Sequence, residues 1–132
     1  MKKNMLIIIL IVIIIALGAY FFYFSNNSKP KPVEYYNYSP GKEFVTNLKG
    51  DNKFIRAVIE FQVTDKTLLD SLQKENPKIR DVIIQILRNK SSDEIDGAQG
   101  QLKLQNEIKT EVNKIIGSDK IKNVYFDDFI VQ

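Results

Sequence analysis

Met5-Leu6-Ile7-Ile8-Ile9-Leu10-Ile11-Val12-Ile13-Ile14-Ile15-Ala16-Leu17-Gly18-Ala19-Tyr20-Phe21-Phe22-Tyr23-Phe24 is the stretch on which the reading of this 132-residue chain turns. Its twenty residues hold no charge, and fourteen of them are Leu, Ile, Val or Phe. At about 1.5 Å rise per residue, a helix of this length is roughly 30 Å long, the thickness of a bilayer's hydrocarbon core. Each of the fourteen contributes about −0.3 to −0.6 kcal/mol near a helix centre, so together they favour insertion by roughly 4 to 8 kcal/mol. The isoleucines would favour a strand in water. In lipid, every backbone N–H and C=O has to be paired within the segment, so the helix wins. Leu6, Ile9, Ile13, Leu17, Phe21 and Phe24 are the expected membrane-anchor residues.

Two cleaved alternatives compete with a permanent anchor. Lys2 and Lys3 followed by Ala16-Leu17-Gly18 resemble a signal peptide with a small-residue cleavage site. The apolar run continues through Tyr20 to Phe24 instead of turning polar there, which favours an uncut helix. A pilin-type leader would be cut before its apolar helix and carry an acid a few places in, and no such acid is present. The lysines before the run place residues 1–4 on the cytoplasmic side as a short tip, and the aromatic cluster Tyr20–Phe24 suits an outer interfacial belt. Lys29 and Lys31 on the far side weaken that charge bias. The expected topology is single-pass in the inner (cytoplasmic) membrane, with everything after residue 24 extracytoplasmic.

Outward from the anchor, residues 25–41 hold three prolines and no helical or strand period. Pro30 and Pro32 favour an extended spacer at about 3.1 Å per residue, giving a reach of roughly 40 Å. Tyr35, Tyr36 and Tyr38 are too aromatic for a free tether and are expected to dock on the domain or on a partner. Residues 42–132 then form one domain with a single core. The absence of cysteine and histidine removes disulfides, thiolate metal sites, the commonest metal ligand and the usual general base. The sequence pI near 9 is a product of the membrane flanks. Of 19 Lys and Arg, four lie at positions 2, 3, 29 and 31, leaving 15 against 16 acids, a net charge of −1 from Val33 onward. A nucleic-acid binder would concentrate positive charge in this domain. The flanking lysines suit lipid headgroups.

Within the domain, Phe44–Leu48 is a strand candidate, and Lys49-Gly50-Asp51-Asn52 has turn chemistry. In Lys53–Val63 the residues Ile55, Ala57, Ile59, Phe61 and Val63 alternate with Phe54, Arg56, Val58, Glu60 and Gln62, which predicts a half-buried strand hairpinned to the first. A helix begins near Lys66 with Leu68, Leu69 and Leu72 as its stripe, capped by Thr64 or Asp65. Asn76-Pro77 restarts it, and Ile79, Ile83, Ile86 and Leu87 repeat at helical spacing. Gly97-Ala98-Gln99-Gly100 reads as a turn. A third helix follows over Gln101–Ile116, with Gly117 as its stop. The last strand, Lys120–Gln132, places Val124, Phe126, Asp128 and Ile130 on one face and Tyr125, Asp127, Phe129 and Val131 on the other. The expected order is β-β-α-α-α-β, an α/β domain behind one transmembrane helix.

Phe44, Asn47-Leu48, the strand Phe54–Val63, Pro77-Lys78-Ile79-Arg80-Asp81 with Ile83, Ile84 and Leu87, Lys90, Glu94, Gly100, Leu104, Glu107-Ile108, Asn113, Val124-Tyr125-Phe126 and the terminal Phe129-Ile130-Val131-Gln132 together form a pattern. It resembles the flagellar basal body-associated FliL family over almost the whole soluble length. Asp127 departs from the small hydroxyl residue more usual there, and the cytoplasmic tip is short. The resemblance implies a non-enzymatic, single-pass membrane protein of the bacterial flagellar motor that supports motility beside the stator units. It also implies a domain similar to the stomatin/prohibitin (SPFH) type and homo-oligomers, including rings. No cofactor, metal, nucleic acid or small-molecule substrate is expected.

Candidate chemistry is sparse. Asp127-Asp128 and Asp93-Glu94-Asp96 are the only tight acidic groups. Adjacent strand positions face opposite ways, and the second group sits where a helix dipole favours acids without a ligand. Arg56 and Glu60 read as a solvated pair or part of a protein interface. Arg80 and Asp81 suit an interface, an internal ion pair or a solvated face. Ile84 widens the apolar stripe of its helix. With Asp127 and Asp128 these make the candidate interface, and the sheet edge and the Ile79–Leu87 helix are the expected subunit contacts. An adaptor for lipid or peptidoglycan, and an anchored hydrolase built on carboxylates and lysine, are the other classes.

Overall fold

The computed structural model describes residues 1–26 and 29–132, so Asn27 and Ser28, part of the predicted spacer, lie outside the described residues. The chain divides into two units, Met1–Pro32 and Val33–Gln132. In the first, helix α1 spans Lys2–Ser25 and buries none of its residues. Leu6, Ile9, Ile13, Leu17, Phe21 and Phe24 are all exposed along it. A helix of 24 residues with apolar side chains on every side is long and apolar enough to cross a membrane.

The second unit begins earlier than the hairpin predicted from sequence. Tyr36–Tyr38 forms strand β1. It is followed by β2 (Phe44–Asn47) and β3 (Phe54–Val63), helices α2 (Leu68–Lys74) and α3 (Asn76–Arg88), a 3-10 turn at Asp93–Ile95, helix α4 (Gly97–Ile116) and strand β4 (Ile121–Val131). The sheet is antiparallel throughout, with β3 central. β4 pairs along one side of β3, from Ile55↔Val131 to Val63↔Ile121. β1 and β2 share the other side, at Tyr36↔Val63 and Phe44↔Ala57. The extra strand changes the expected order to β-β-β-α-α-α-β. Its cause is aromatic: Tyr38 is half-buried, its ring lies 6.4 Å from that of Phe61, and its hydroxyl donates to the Leu72 carbonyl at 3.2 Å.

The alternation in β3 holds as predicted, with Ile55, Ala57, Ile59, Phe61 and Val63 fully buried. They face Leu72, Ile79, Ile83, Leu87, Leu104, Ile108 and Val112 from the three helices, in one core. Helices therefore cover one face of the sheet. At β4 the predicted faces are wrong. The register slips between Val58 and Ile59, which pair with Asp128 and Phe126, so Asp127 is an extra bulged residue. Beyond that bulge the alternation restarts one place later. Phe129 and Val131 then oppose the buried Ala57 and Ile55, and Asp128 and Ile130 oppose Val58 and Arg56 on the other face. A second slip sets Lys122 out of register.

Gly97–Gly100, read as a turn, is the first turn of α4. Gly100 lies so close to the Ile95 carbonyl carbon that a Cβ there would sit 2.7 Å from it. Proximity of two backbones, and not a bend, explains the glycine. Gly117 ends α4 at φ 62°, in the left-handed region. Asn113 then clamps the following strand, donating to the Ile121 carbonyl at 3.3 Å and accepting from its N–H at 3.2 Å.

Candidate functional site

The face of the sheet that bears no helix collects several of the residues singled out from sequence. Arg56 projects from β3, and its guanidinium bridges Glu43 at 3.3 Å and Asp128 at 2.9 Å. Glu60, its expected partner, instead stands opposite Tyr125 in the β3–β4 ladder. Asp127 is exposed on the bulge. Around Arg56 lie Phe54 (53% exposed), Val45 (58%) and Ile130 (36%). With Ile55 and Gln132 they line a shallow cavity of about 250 Å³. An aromatic ring and an arginine set in an apolar surround are the side chains that most often anchor protein contacts. Glu43, Val45 and Ile130 escaped the sequence reading. Phe54 on the polar side of its strand was the available signal.

Arg80, Asp81 and Ile84 do not join this face, because α3 belongs to the helical layer. Among the described residues Arg80 makes no ion pair. It donates to the carbonyls of Pro40 at 2.9 Å and Glu43 at 3.3 Å, and its guanidinium lies 4.4 Å from the Phe44 ring centroid. It straps the segment between β1 and β2 onto the domain. Asp81 is exposed and accepts from Gln85 at 2.7 Å. Ile84 is half-buried against the core. The stripe Ile79, Ile83, Ile86 and Leu87 is buried within the domain, and Asp81 and Gln85 lie on the exposed side of the same helix.

Among the described residues no group of three or more His, Cys, Asp or Glu side chains is placed to hold a metal ion. Of the acids at the start of α4, Glu94 has a local partner. Glu94 accepts from the Ser91 backbone N–H at 2.8 Å, which holds its carboxyl below the usual range. Asp51 accepts from Ser92 and is lowered for the same reason. Asp65 is the most perturbed carboxyl, held at about 2 by the Lys120 ammonium at 2.6 Å and by Thr67. These contacts join loops to the domain.

With the geometry described, the family profile for the flagellar basal body-associated protein FliL matches residues 38–132. The chain belongs to the FliL family. A flagellar protein FliL from Aquifex aeolicus (strain VF5) is 33% identical over 97 residues, 72% of this chain and 60% of that protein. One from Bacillus subtilis (strain 168) is 30% identical over 91 residues, 69% of this chain and 64% of that protein. A flagellar FliL protein from Caulobacter vibrioides is 23% identical over 92 residues. The chain thus spans between 45% and 64% of the length of these FliL relatives. The FliL match begins at Tyr38, inside β1, and takes in Arg56, Arg80 and the bulge at Asp127.

Proposed function

We propose that this chain is a non-enzymatic accessory protein of the flagellar basal body, held in the cytoplasmic membrane by α1 with its N-terminus in the cytoplasm. Its α/β domain, similar to the stomatin/prohibitin type, stands outside the cytoplasm and forms homo-oligomers beside the stator units, supporting torque generation and motility. The observation that carries this reading is the FliL profile over 38–132 joined to one helix long and apolar enough to cross a bilayer. The division of the chain into Met1–Pro32 and Val33–Gln132 supports it; in this reading residues 1–4 are the cytoplasmic tip and 5–24 lie in lipid. A protein that positions others needs an anchor and a contact surface, and it needs no cofactor.

Fluorescently tagged chain in a motile cell tests the assignment. Spots at flagellar bases, and a crosslink from the folded unit to a stator subunit, are the expected results. Normal swimming after gene deletion would refute the motor role. A crosslink to cell wall or lipid alone would leave a general extracytoplasmic adaptor in its place.

A further inference from the structure

The bare sheet face is apolar at the end where Phe54, Val45 and Ile130 meet, and acids follow it along β3 and β4. Glu43 and Asp128 beside the hollow bridge Arg56, and Glu60 and the bulged, exposed Asp127 lie further along the strands. The helical layer offers the converse. Leu102 on α4 is 49% exposed, the one large aliphatic side chain left so open among the described helices of the folded unit. Lys103 adjoins it and Lys109 lies two turns further along α4, while the acid between them, Glu107, is held by Lys90 at 2.7 Å. An apolar knob flanked by lysines is thus matched on the same chain by an apolar hollow flanked by carboxylates.

We propose that the hollow formed by Val45, Phe54 and Ile130 receives Leu102 of a second copy of this chain, with Lys103 and Lys109 set against the acidic rim. The inference rests on the reading above that subunits associate, and it names the surfaces. Knob and hollow belong to opposite layers of the domain, so a two-fold axis cannot satisfy both at once. The contact is heterologous and repeats from copy to copy, as a ring where its rotation closes and as an open filament where it does not. The free side of β4 is a poorer site for strand addition, since the bulges at Lys122 and Asp127 break its ladder and place charges there.

The test is sedimentation of the full-length chain in detergent. Wild type is expected to assemble, and Phe54→Glu and Leu102→Glu each to weaken association at least tenfold. An equimolar mixture of these two variants should form a species of two copies and nothing larger, because only one intact hollow and one intact knob remain per pair. Unchanged circular dichroism melts verify folding, and Val45→Lys replaces Phe54→Glu if the latter unfolds. Wild-type assembly untouched by any of these variants overturns the surfaces but not the association. No two-copy species in the mixture overturns the heterologous pairing. A wild type that stays monomeric removes the association reading itself.

Discussion

Arg80 shows how one side chain can replace a secondary-structure element. The segment from Pro40 to Glu43 has no ladder of its own, and its Pro40 and Glu43 carbonyls are satisfied by this guanidinium, which also covers Phe44. Arg80→Ala should cost about 1 to 3 kcal/mol, from charge-assisted hydrogen bonds and a cation–π contact. The measurement is thermal unfolding of the full chain in detergent, followed by the near-ultraviolet dichroism of its tyrosines. Gly41→Ala should lower the melting temperature in the same direction, because Gly41 sits at φ 144° with the guanidinium packed against it. Asp65 gives a pH prediction. Its carboxyl is lowered from 3.8 to about 2 by Lys120 and Thr67, so the folded state binds its proton less readily than the unfolded state. The stabilisation is complete above the ordinary carboxylate range and is lost as pH falls through the folded value. Asp65→Asn should therefore lower the melting temperature at pH 7 and lower it far less near pH 2, where the folded carboxyl is itself half-protonated. An equal loss at both pH values would disprove the linkage.

At the scale of elements, the sequence was legible wherever one period ran unbroken. β3 alternates without interruption over ten residues, and its buried face was named correctly from Ile55 to Val63. α3 likewise kept its helical stripe, and the proline at its start marked where it restarts. β4 failed because a bulge adds one residue, and a single extra residue exchanges every later side chain between faces. Nothing in Phe126-Asp127-Asp128-Phe129 announces that slip without a partner strand. β1 was missed since three residues carry too little pattern; only its tyrosines signalled docking. The glycines at the start of α4 misled for a different reason. Helix propensity alone says that Gly100→Ala should gain up to about 1 kcal/mol. The backbone of Glu94 and Ile95 stands within 2.9 Å of the added Cβ and cannot yield as a side-chain tip would. A net loss of about 1 to 3 kcal/mol is expected, the usual cost of overpacking. Ala98→Gly, on the exposed side of the same turn, serves as the control and should lose only about 1 kcal/mol. Stabilisation by Gly100→Ala in a thermal melt would show that the 3-10 turn can move away.

For the whole molecule, the two units rest on different physics. The folded unit closes one core between a sheet and three helices, whereas α1 buries nothing and is long and apolar enough to cross a membrane. The apolar helix was the most legible element of the chain, because hydropathy needs no tertiary partner. The candidate face was among the least legible, because it depends on β4 register and on Glu43 reaching across the sheet to Arg56. The anchoring term can be tested by arithmetic. Fourteen apolar side chains favour insertion by roughly 4 to 8 kcal/mol, and one arginine near the helix centre costs about 2.5 to 3.5 kcal/mol. Ile13→Arg alone should leave most of the chain in the membrane pellet after an alkaline carbonate wash. Ile9→Arg combined with Ile13→Arg removes roughly 5 to 7 kcal/mol, enough to cancel the driving force, and should move the protein into the wash. If α1 were instead a cleaved leader, wild-type protein would itself appear in the wash, with a mature N-terminus at Ala19 or Tyr20. Both arginine variants would then differ from it in processing and not in membrane retention.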